Sequence, residues 1–322
     1  MKPLRNCCVF VSANSFGKFN LALKTELEDL VGEVVYNTTG KPLSSEQVKR
    51  MLPGMNGYIA GLDQIDQHAL QTADSLKIIA RYGVGVDQVD LQAAADKGII
   101  VSNTPGANSA SVAELALGML LMLARQIPMA MNSIQRGEWP RLPGLTLEGK
   151  TVGILGLGAI GKQFAKRLAN FDCHIIAHDP YADEAFAKQH NIQLVPLEAL
   201  ISRSDFISLH LPVLPETRGL VDDKFIQAMK TRSFLINTSR GELIDELALV
   251  KGLESGHIQG AGLDAFVKEP PDSDHPFLSF PQVICTPHLG AQTDGATNNM
   301  GRMALDECIR VLQGEKPFFQ VN

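Results

Sequence analysis

The sequence lacks the patterns that point to metal or nucleophile chemistry. Its eight histidines form no HExxH pair and no Cys/His ligand set, so no metal is expected. His174 and His178 share a strand face, but strand neighbours four residues apart cannot grip one ion. There is no GxSxG elbow and no P-loop, which leaves neither a serine hydrolase nor a P-loop nucleotidase in view. CxxC pairs are missing too. The five cysteines (Cys7, Cys8, Cys173, Cys285 and Cys308) are an odd number, set largely in apolar runs where a free thiol behaves as a small hydrophobe. A reduced, cytoplasmic setting is the expectation. No lysine- or arginine-rich run occurs, and 29 basic against 35 acidic residues give a formal charge of −6. That balance supplies no electrostatic reason to expect nucleic acid or anionic lipid as a partner. Long apolar runs are scarce as well: Val112 to Ala124 contains Glu114 and is too short to span a bilayer. The opening stretch places Lys2 and Arg5 before an apolar run that stops at Ser12, which reads as a strand rather than a signal peptide.

What is present is a rhythm. At 322 residues, 45% apolar and 20% charged, the chain has the size for two globular domains. Strand-length apolar runs fall at Cys8–Val11, Glu33–Tyr36, Tyr58–Ala60, Leu76–Arg81 and Ile99–Ser102, with amphipathic stretches between them. The rhythm resumes at Thr151–Leu155, His174–His178, Phe206–Leu211, Ser233–Asn237, Gly260–Asp264 and Val283–Thr286. Alternating strand and helix predicts an α/β protein with parallel sheets covered on both faces, and two series predict two doubly wound domains. Between them, Ser109 to about Arg125 and Met129 to Gln135 read as helix, the first apolar on nearly every face. Such a helix must be buried on more than one side, between domains or at a subunit interface. A terminal helix is expected near Gly301–Leu312, and no repeat or long linker appears.

The strand Thr151–Leu155 runs directly into Gly156-Leu157-Gly158-Ala159-Ile160-Gly161, and a helix-like stretch follows. Gly156 permits a tight turn, Gly158 lets backbone approach a pyrophosphate, and Gly161 lets the helix pack on the strand. The free N–H groups and dipole of the helix start favour phosphate. Asp179, at the end of the next strand, can accept hydrogen bonds from both adenosine ribose hydroxyls and would repel a 2′-phosphate. NAD is therefore the expected cofactor, ahead of NADP.

Three more residues follow strands in the second series. Arg240 lies in Asn237-Thr238-Ser239-Arg240-Gly241, Glu269 in Val267-Lys268-Glu269-Pro270, and His288 in Thr286-Pro287-His288-Leu289-Gly290. All sit at the carboxyl edge, where open α/β sheets bind ligands. A planar guanidinium suits a substrate carboxylate. Histidine suits proton exchange near neutral pH, and a carboxylate beside it stabilises imidazolium and fixes the tautomer. Together they suit reduction of a small 2-oxo acid. His210 ends a strand at the same edge and is assigned a structural or ribose-side role.

At this point the chain resembles the D-isomer-specific 2-hydroxyacid dehydrogenase family, most closely its phosphoglycerate dehydrogenase branch. The matching stretches are Arg81-Tyr82-Gly83-Val84-Gly85-Val86-Asp87, Asn103-Thr104-Pro105-Gly106, Ser111-Val112-Ala113-Glu114-Leu115 and the glycine motif. They continue through His210-Leu211-Pro212 with Glu216-Thr217, Asn237 to Gly241, Gly262-Leu263-Asp264, Glu269-Pro270, and Pro287-His288-Leu289-Gly290-Ala291. The resemblance implies a catalytic set of Arg240, Glu269 and His288, with Val84 and Gly85 amides helping to hold the substrate carboxylate. It implies pyrophosphate contacts at Ala159 and Ile160, a cofactor cleft lined by Leu211 and Thr217, and Thr238 and Asp264 near the nicotinamide, with Asp264 orienting its carboxamide.

The resemblance further implies a discontinuous layout. Residues 1–102 and 290–322 would form a flavodoxin-like substrate domain, and residues 103–289 a Rossmann NAD-binding domain. It implies a homodimer through the Ser109–Gln135 region. Trp139 and Arg141, just after that region, are expected to approach the neighbouring subunit's cleft. Two departures are visible. The length leaves no room for a C-terminal regulatory domain, so serine feedback through one is not expected. Serine-pathway relatives place a phosphate-binding arginine after the strand near Tyr58–Ala60, whereas this chain reads Gly61-Leu62-Asp63, an acid instead. Two other readings compete: a dehydrogenase of another small anion such as formate or phosphite, and a non-catalytic nucleotide-sensing, corepressor-like binding protein.

Overall fold

The computed structural model describes residues 3–322; Met1 and Lys2 of the opening stretch lie outside the described residues. The chain divides into two compact units, one running to Asn108 and resuming at Ala291, the other Ser109–Gly290. Asn103 to Asn108, expected with the nucleotide unit, go with the first.

The discontinuous unit is built on β1 (Cys8–Val11), β2 (Glu33–Tyr36), β3 (Gly57–Ala60), β4 (Ile78–Arg81) and β5 (Ile100–Ser102). They pair in parallel in the order β2-β1-β3-β4-β5, so the winding reverses between β1 and β3. Every residue of β3 and β4 is buried, which is why these strands read as continuous apolar runs rather than alternating ones. Successive side chains still point to opposite faces. Val9, Val11, Ile59, Ile78 and Ala80 meet Ala296, Met300, Ala304, Leu305 and Cys308 of the helix Asp294–Leu312. Phe10, Tyr58, Ala60 and Ile79 face Val48, Leu52 and Leu70 on the other side. Each fully buried aliphatic side chain contributes about 1.5–3 kcal/mol. The helix Ser45–Met51 starts cleanly because Ser44 and Gln47 form a reciprocal capping box.

The continuous unit holds β6 (Thr151–Leu155), β7 (His174–His178), β8 (Gln193–Leu194), β9 (Phe206–Leu209), β10 (Ser233–Asn237), β11 (Ile258–Leu263) and β12 (Val283–Cys285). All pair in parallel in the order β12-β11-β10-β9-β6-β7-β8. Winding reverses between β6 and β9, and the carboxyl ends of those strands flank the ligand crevice of such a sheet. The apolar helix Ser109–Ala124 lies on the helix Ala159–Leu168 and on β10 and β11. It seats closely because Gly260 and Gly262 leave room for Leu123 and Met119. It ends at Ala124. Gln126 takes a left-handed backbone (φ 49°), and the next helix, Ile127–Gln135, turns away by 63°. No single helix among the described residues is long and apolar enough to cross a membrane.

Candidate active site

The three motif glycines each meet a different constraint. Gly156 has φ +94°, and a side chain there would strike the carbonyl of His210 at the end of β9. A side chain at Gly161 would run into the carbonyl of Gly156, so the helix Ala159–Leu168 can seat on β6 only through a glycine. At Gly158 a side chain would meet nothing within 4 Å. Nothing in the fold fills that space, so the position is open to a group from outside the chain. Gly158 is also the N-cap and offers no capping side chain, which leaves the first N–H groups of a ten-residue helix aimed outward beside exposed Ala159. Ile160 is half-buried and packs into the core.

Asp179 ties this loop to the end of β7. Its Oδ2 accepts from Leu157 N at 2.7 Å and its Oδ1 from Tyr181 N at 2.8 Å. A carboxylate has about four acceptor directions, so each oxygen keeps one for a ribose hydroxyl. Leu211 is half-buried against the glycine turn. Thr217 faces inward: its hydroxyl donates to Pro212 O at 2.7 Å and accepts from Leu214 N at 2.7 Å, which stiffens the loop after β9. Two polar atoms, Thr238 Oγ1 after β10 and His210 Nδ1 after β9, are buried with no hydrogen-bond partner. Buried polar atoms in native folds find partners, so these two fit a polar ligand at the crevice. His210 is a neutral imidazole there, because burial pushes its pKa down to about 3, and its Nε2 pairs with Ser208 Oγ at 3.0 Å.

The acid–base residues come from three neighbouring strand ends. After β10, Asn237 Oδ1 accepts from Ser239 N at 3.0 Å and its Nδ2 donates to Arg240 O at 2.7 Å, while Ser239 Oγ donates to Leu209 O at 2.8 Å. The turn is clamped, and Arg240 stands half-buried with Nη1 on Ser239 O at 2.8 Å. Any side chain at Gly241 would collide with the backbone of Phe266 and Val267. The Arg240 turn therefore rests directly on the loop that carries Glu269. Phe266 N donates to Glu269 Oε1 at 3.1 Å, and His288 Nδ1 lies 3.1 and 2.9 Å from the two Glu269 oxygens. With Nδ1–H given to the carboxylate, Nε2 is the nitrogen left for a reacting group. Burial disfavours the Glu269 carboxylate, but the hydrogen bond and charge of His288, the Phe266 N–H and the charge of Arg240 outweigh it. The carboxyl is held below its ordinary range.

Asp264, expected near a carboxamide, also braces the turn that carries His288. It is buried, and its oxygens go to Thr286, Leu289 and Gly290 around His288. Asn237, Gly241, Ser239 and Thr286 were not singled out individually by sequence reasoning. The glycine directly after Arg240 was the one usable signal.

In the first unit, the turn after β4 is fixed by its own carbonyls. After β4, the carbonyls of Gly83, Val84 and Gly85 accept from Thr104 N at 3.1 Å, Asn103 Nδ2 at 2.8 Å and Arg81 Nε at 3.3 Å. A trans peptide points its N–H opposite its carbonyl, so the amides of Val84, Gly85 and Val86 turn away from those partners. Asp63 is not presented to any ligand. It is fully buried, accepting from Ser12 Oγ, Tyr58 OH at 2.9 Å and Leu43 N at 2.7 Å. The acid that weakened a phosphorylated substrate in the sequence is an internal brace.

A family model described as D-isomer specific 2-hydroxyacid dehydrogenase, NAD binding domain, matches residues 117–290. The D-3-phosphoglycerate dehydrogenase of Methanocaldococcus jannaschii is 44% identical over 255 residues, covering 78% of this chain and 48% of that protein. The chain thus spans about half the length of the curated relatives it matches. Among solved structures, a protein from Thermus thermophilus is 34% identical with a TM-score of 0.87, covering 98% of this chain and 100% of that one. An NAD-dependent formate dehydrogenase from Staphylococcus aureus, in complex with NAD, is 31% identical with a TM-score of 0.85, covering 98% of each chain.

Proposed function

The chain belongs to the D-isomer specific 2-hydroxyacid dehydrogenase family, and from that premise we propose that it interconverts a small D-2-hydroxy acid and its 2-oxo acid with NAD. The observation that carries this reading is the Glu269–His288 pair, 2.9 Å apart, on the loops beside Arg240. When bound, the nicotinamide exchanges a hydride with C2 of the substrate. His288 Nε2 gives a proton to the C2 oxygen in reduction and takes it back in oxidation. Glu269 keeps Nδ1 protonated and stabilises the imidazolium between turnovers. Arg240 grips the substrate carboxylate through its planar fork. Gly156, Gly158, Ala159, Ile160 and Gly161 receive the pyrophosphate, and Asp179 the adenosine ribose.

The test is NADH consumption with phosphohydroxypyruvate, hydroxypyruvate, glyoxylate, pyruvate and 2-oxoglutarate, with NADPH in parallel and formate plus NAD in the reverse direction. Turnover of one oxo acid with NADH, and little with NADPH, is the expected result. Formate oxidation without any oxo-acid reduction would replace the reading with the other-anion one, which needs no proton taken from a substrate hydroxyl. NADH binding with no turnover at all would leave a nucleotide-sensing protein.

We also propose a cytoplasmic homodimer. Five cysteines, an odd number with no CxxC pair, suit a reducing compartment. On the helix Ile127–Gln135 and just beyond it, Ile127, Met131, Ile134 and Trp139 are 38, 54, 54 and 83% exposed, an apolar surface that a second copy would cover. Arg141 is exposed beside it. Sedimentation of the parent at the mass of two chains, and of Met131→Glu with Ile134→Glu at one, is the expected outcome; a monomeric parent would end the proposal.

A further inference from the structure

The loop between β11 and β12 carries Glu269 and, further along, a second imidazole that the proton chemistry does not use. His275 is fastened at both ring nitrogens. Nδ1 accepts from Phe277 N at 3.4 Å and so caps the short helical turn Pro276–Ser279. With Nδ1 accepting, Nε2 carries the proton and donates to Glu246 Oε2 at 3.3 Å. Glu246 opens the helix Glu246–Glu254, which follows the Arg240 turn, so the contact joins the segment after β10 to the loop after β11. The His275 side chain is 14% exposed. Its ring stands edge-on to Phe266 at 5.6 Å and lies 5.0 Å from Phe277. Phe266 leads back to the active pair. Its N–H donates to Glu269 Oε1 at 3.1 Å, and its backbone is the surface on which Gly241 rests.

We propose that the His275–Glu246 contact positions Glu269: by pinning the far half of the loop it holds the Phe266 ring, keeps the Phe266 N–H on Glu269 Oε1, and so keeps the carboxylate on His288 Nδ1. The proposal rests on the reading of Glu269 and His288 as the pair that handles the proton. A group in that role must be held to within about 0.5 Å by neighbours that are themselves locked. A backbone N–H has no rotamer of its own, so its direction follows the packing of its residue. Phe266 is buried with Leu243 and Phe277, its ring meets His275, and Glu246 fixes where His275 stands. An apolar side chain could fill the space beside the two phenyl rings, but it could not tie the loop to the helix after Arg240. The chain of contacts runs Glu246, His275, Phe266, Glu269, His288, all within the continuous unit. The charged groups around His288 are Glu269 on Nδ1, Asp264 beneath the turn, and Arg240 acting by way of Glu269.

The experiment breaks the contact from either end. His275→Asn keeps an acceptor where Nδ1 stands but is too short to reach Glu246. His275→Gln brings an amide N–H to the place of Nε2, and Glu246→Ala removes the acceptor without touching the ring. Expected for His275→Asn and Glu246→Ala is a fall in oxo-acid kcat of roughly 10- to 100-fold from a displaced Glu269, with NADH Kd unchanged. In both, the alkaline limb of the reduction profile should move to lower pH, because the imidazolium loses part of its carboxylate. His275→Asn removes no carboxylate, so its shift cannot be a direct effect of lost charge. His275→Gln should recover most of the rate and return the limb toward its parent place. Glu246→Ala combined with His275→Asn should cost no more than the costlier single change. An unmoved limb, equal losses in His275→Asn and His275→Gln, or additive costs in the combined variant would overturn the proposal and leave His275 a packing residue. Glu246→Ala covers the case in which His275→Asn fails to fold. Should the parent turn over no oxo acid, the His288 imidazole signal, assigned by its loss in His288→Ala, still decides. It must titrate at lower pH in His275→Asn and Glu246→Ala than in the parent, and an unaltered titration overturns the positioning role.

Discussion

Replacing His288 with alanine lowers oxo-acid turnover by about 10²–10⁴-fold, the range contributed by a positioned general acid, while NADH affinity stays at the parent value. The separation follows from location. His288 and Glu269 lie on the loops after β12 and β11, whereas the glycine turn and Asp179 follow β6 and β7. Glu269→Gln is the graded companion. The amide can still accept from Phe266 N but supplies no charge to stabilise imidazolium. Because the Glu269 carboxyl is held below its ordinary range, it is ionised at neutral pH. Reduction needs imidazolium, so its rate falls as pH rises through the titration of the pair; oxidation needs imidazole, so its rate falls as pH drops through it. Loss of the Glu269 charge makes the proton easier to remove and moves both limbs to lower pH. The kcat/KM profiles in both directions are the measurement. Limbs that stay in place in Glu269→Gln would show that the carboxylate does not act on the proton carrier.

Replacing Arg240 with alanine raises the oxo-acid KM and lowers kcat/KM by roughly 10²–10³-fold, as expected when one side of a hydrogen-bonded charge pair worth about 2–5 kcal/mol is removed. Lysine recovers little, because a point charge on a flexible stem cannot reproduce two parallel hydrogen bonds to a carboxylate. The turn itself should survive, since Asn237 and Ser239 hold it through groups other than the guanidinium, and Gly241 keeps its seat on Phe266 and Val267. An unchanged thermal midpoint is the control. NADH binding that weakens as much as oxo-acid binding would contradict the role assigned to Arg240.

The strands were legible because buried parallel strands are apolar runs with turn residues at both ends, and most were placed to within a residue or two. β8 was missed, since Gln193–Leu194 is two exposed residues at a sheet edge with no run to detect. β11 starts at Ile258 rather than at Gly260. Its two glycines look like breakers, yet they answer to Leu123 and Met119 on a helix far away in sequence. Phe206–Leu211 was read too long, because His210 and Leu211 already belong to the loop that meets Gly156. Asn103 and Thr104 join the first unit through hydrogen bonds to Val84 and Gly83, which no hydrophobic pattern records. In the site, residue chemistry singled out Arg240, Glu269 and His288, and the structure brings the last two into contact. The directions of two acids were not legible. Asp63 and Asp264 turn inward because their donors come from separate segments: Ser12, Leu43 and Tyr58 for one, and the Thr286–Gly290 turn for the other.

The helix Asp294–Leu312 covers one face of a sheet whose strands all precede Asn103. A ribosome adding about 5–20 residues per second needs roughly 10–40 s to pass from Ser109 to Gly290. For that interval Val9, Val11, Ile59, Ile78 and Ala80 have been made, but the helix that shields them has not. The continuous unit is therefore fully made before the helix that completes the first unit's core. During synthesis that bare sheet is where a chaperone would bind, or where two nascent chains on neighbouring ribosomes would stick together.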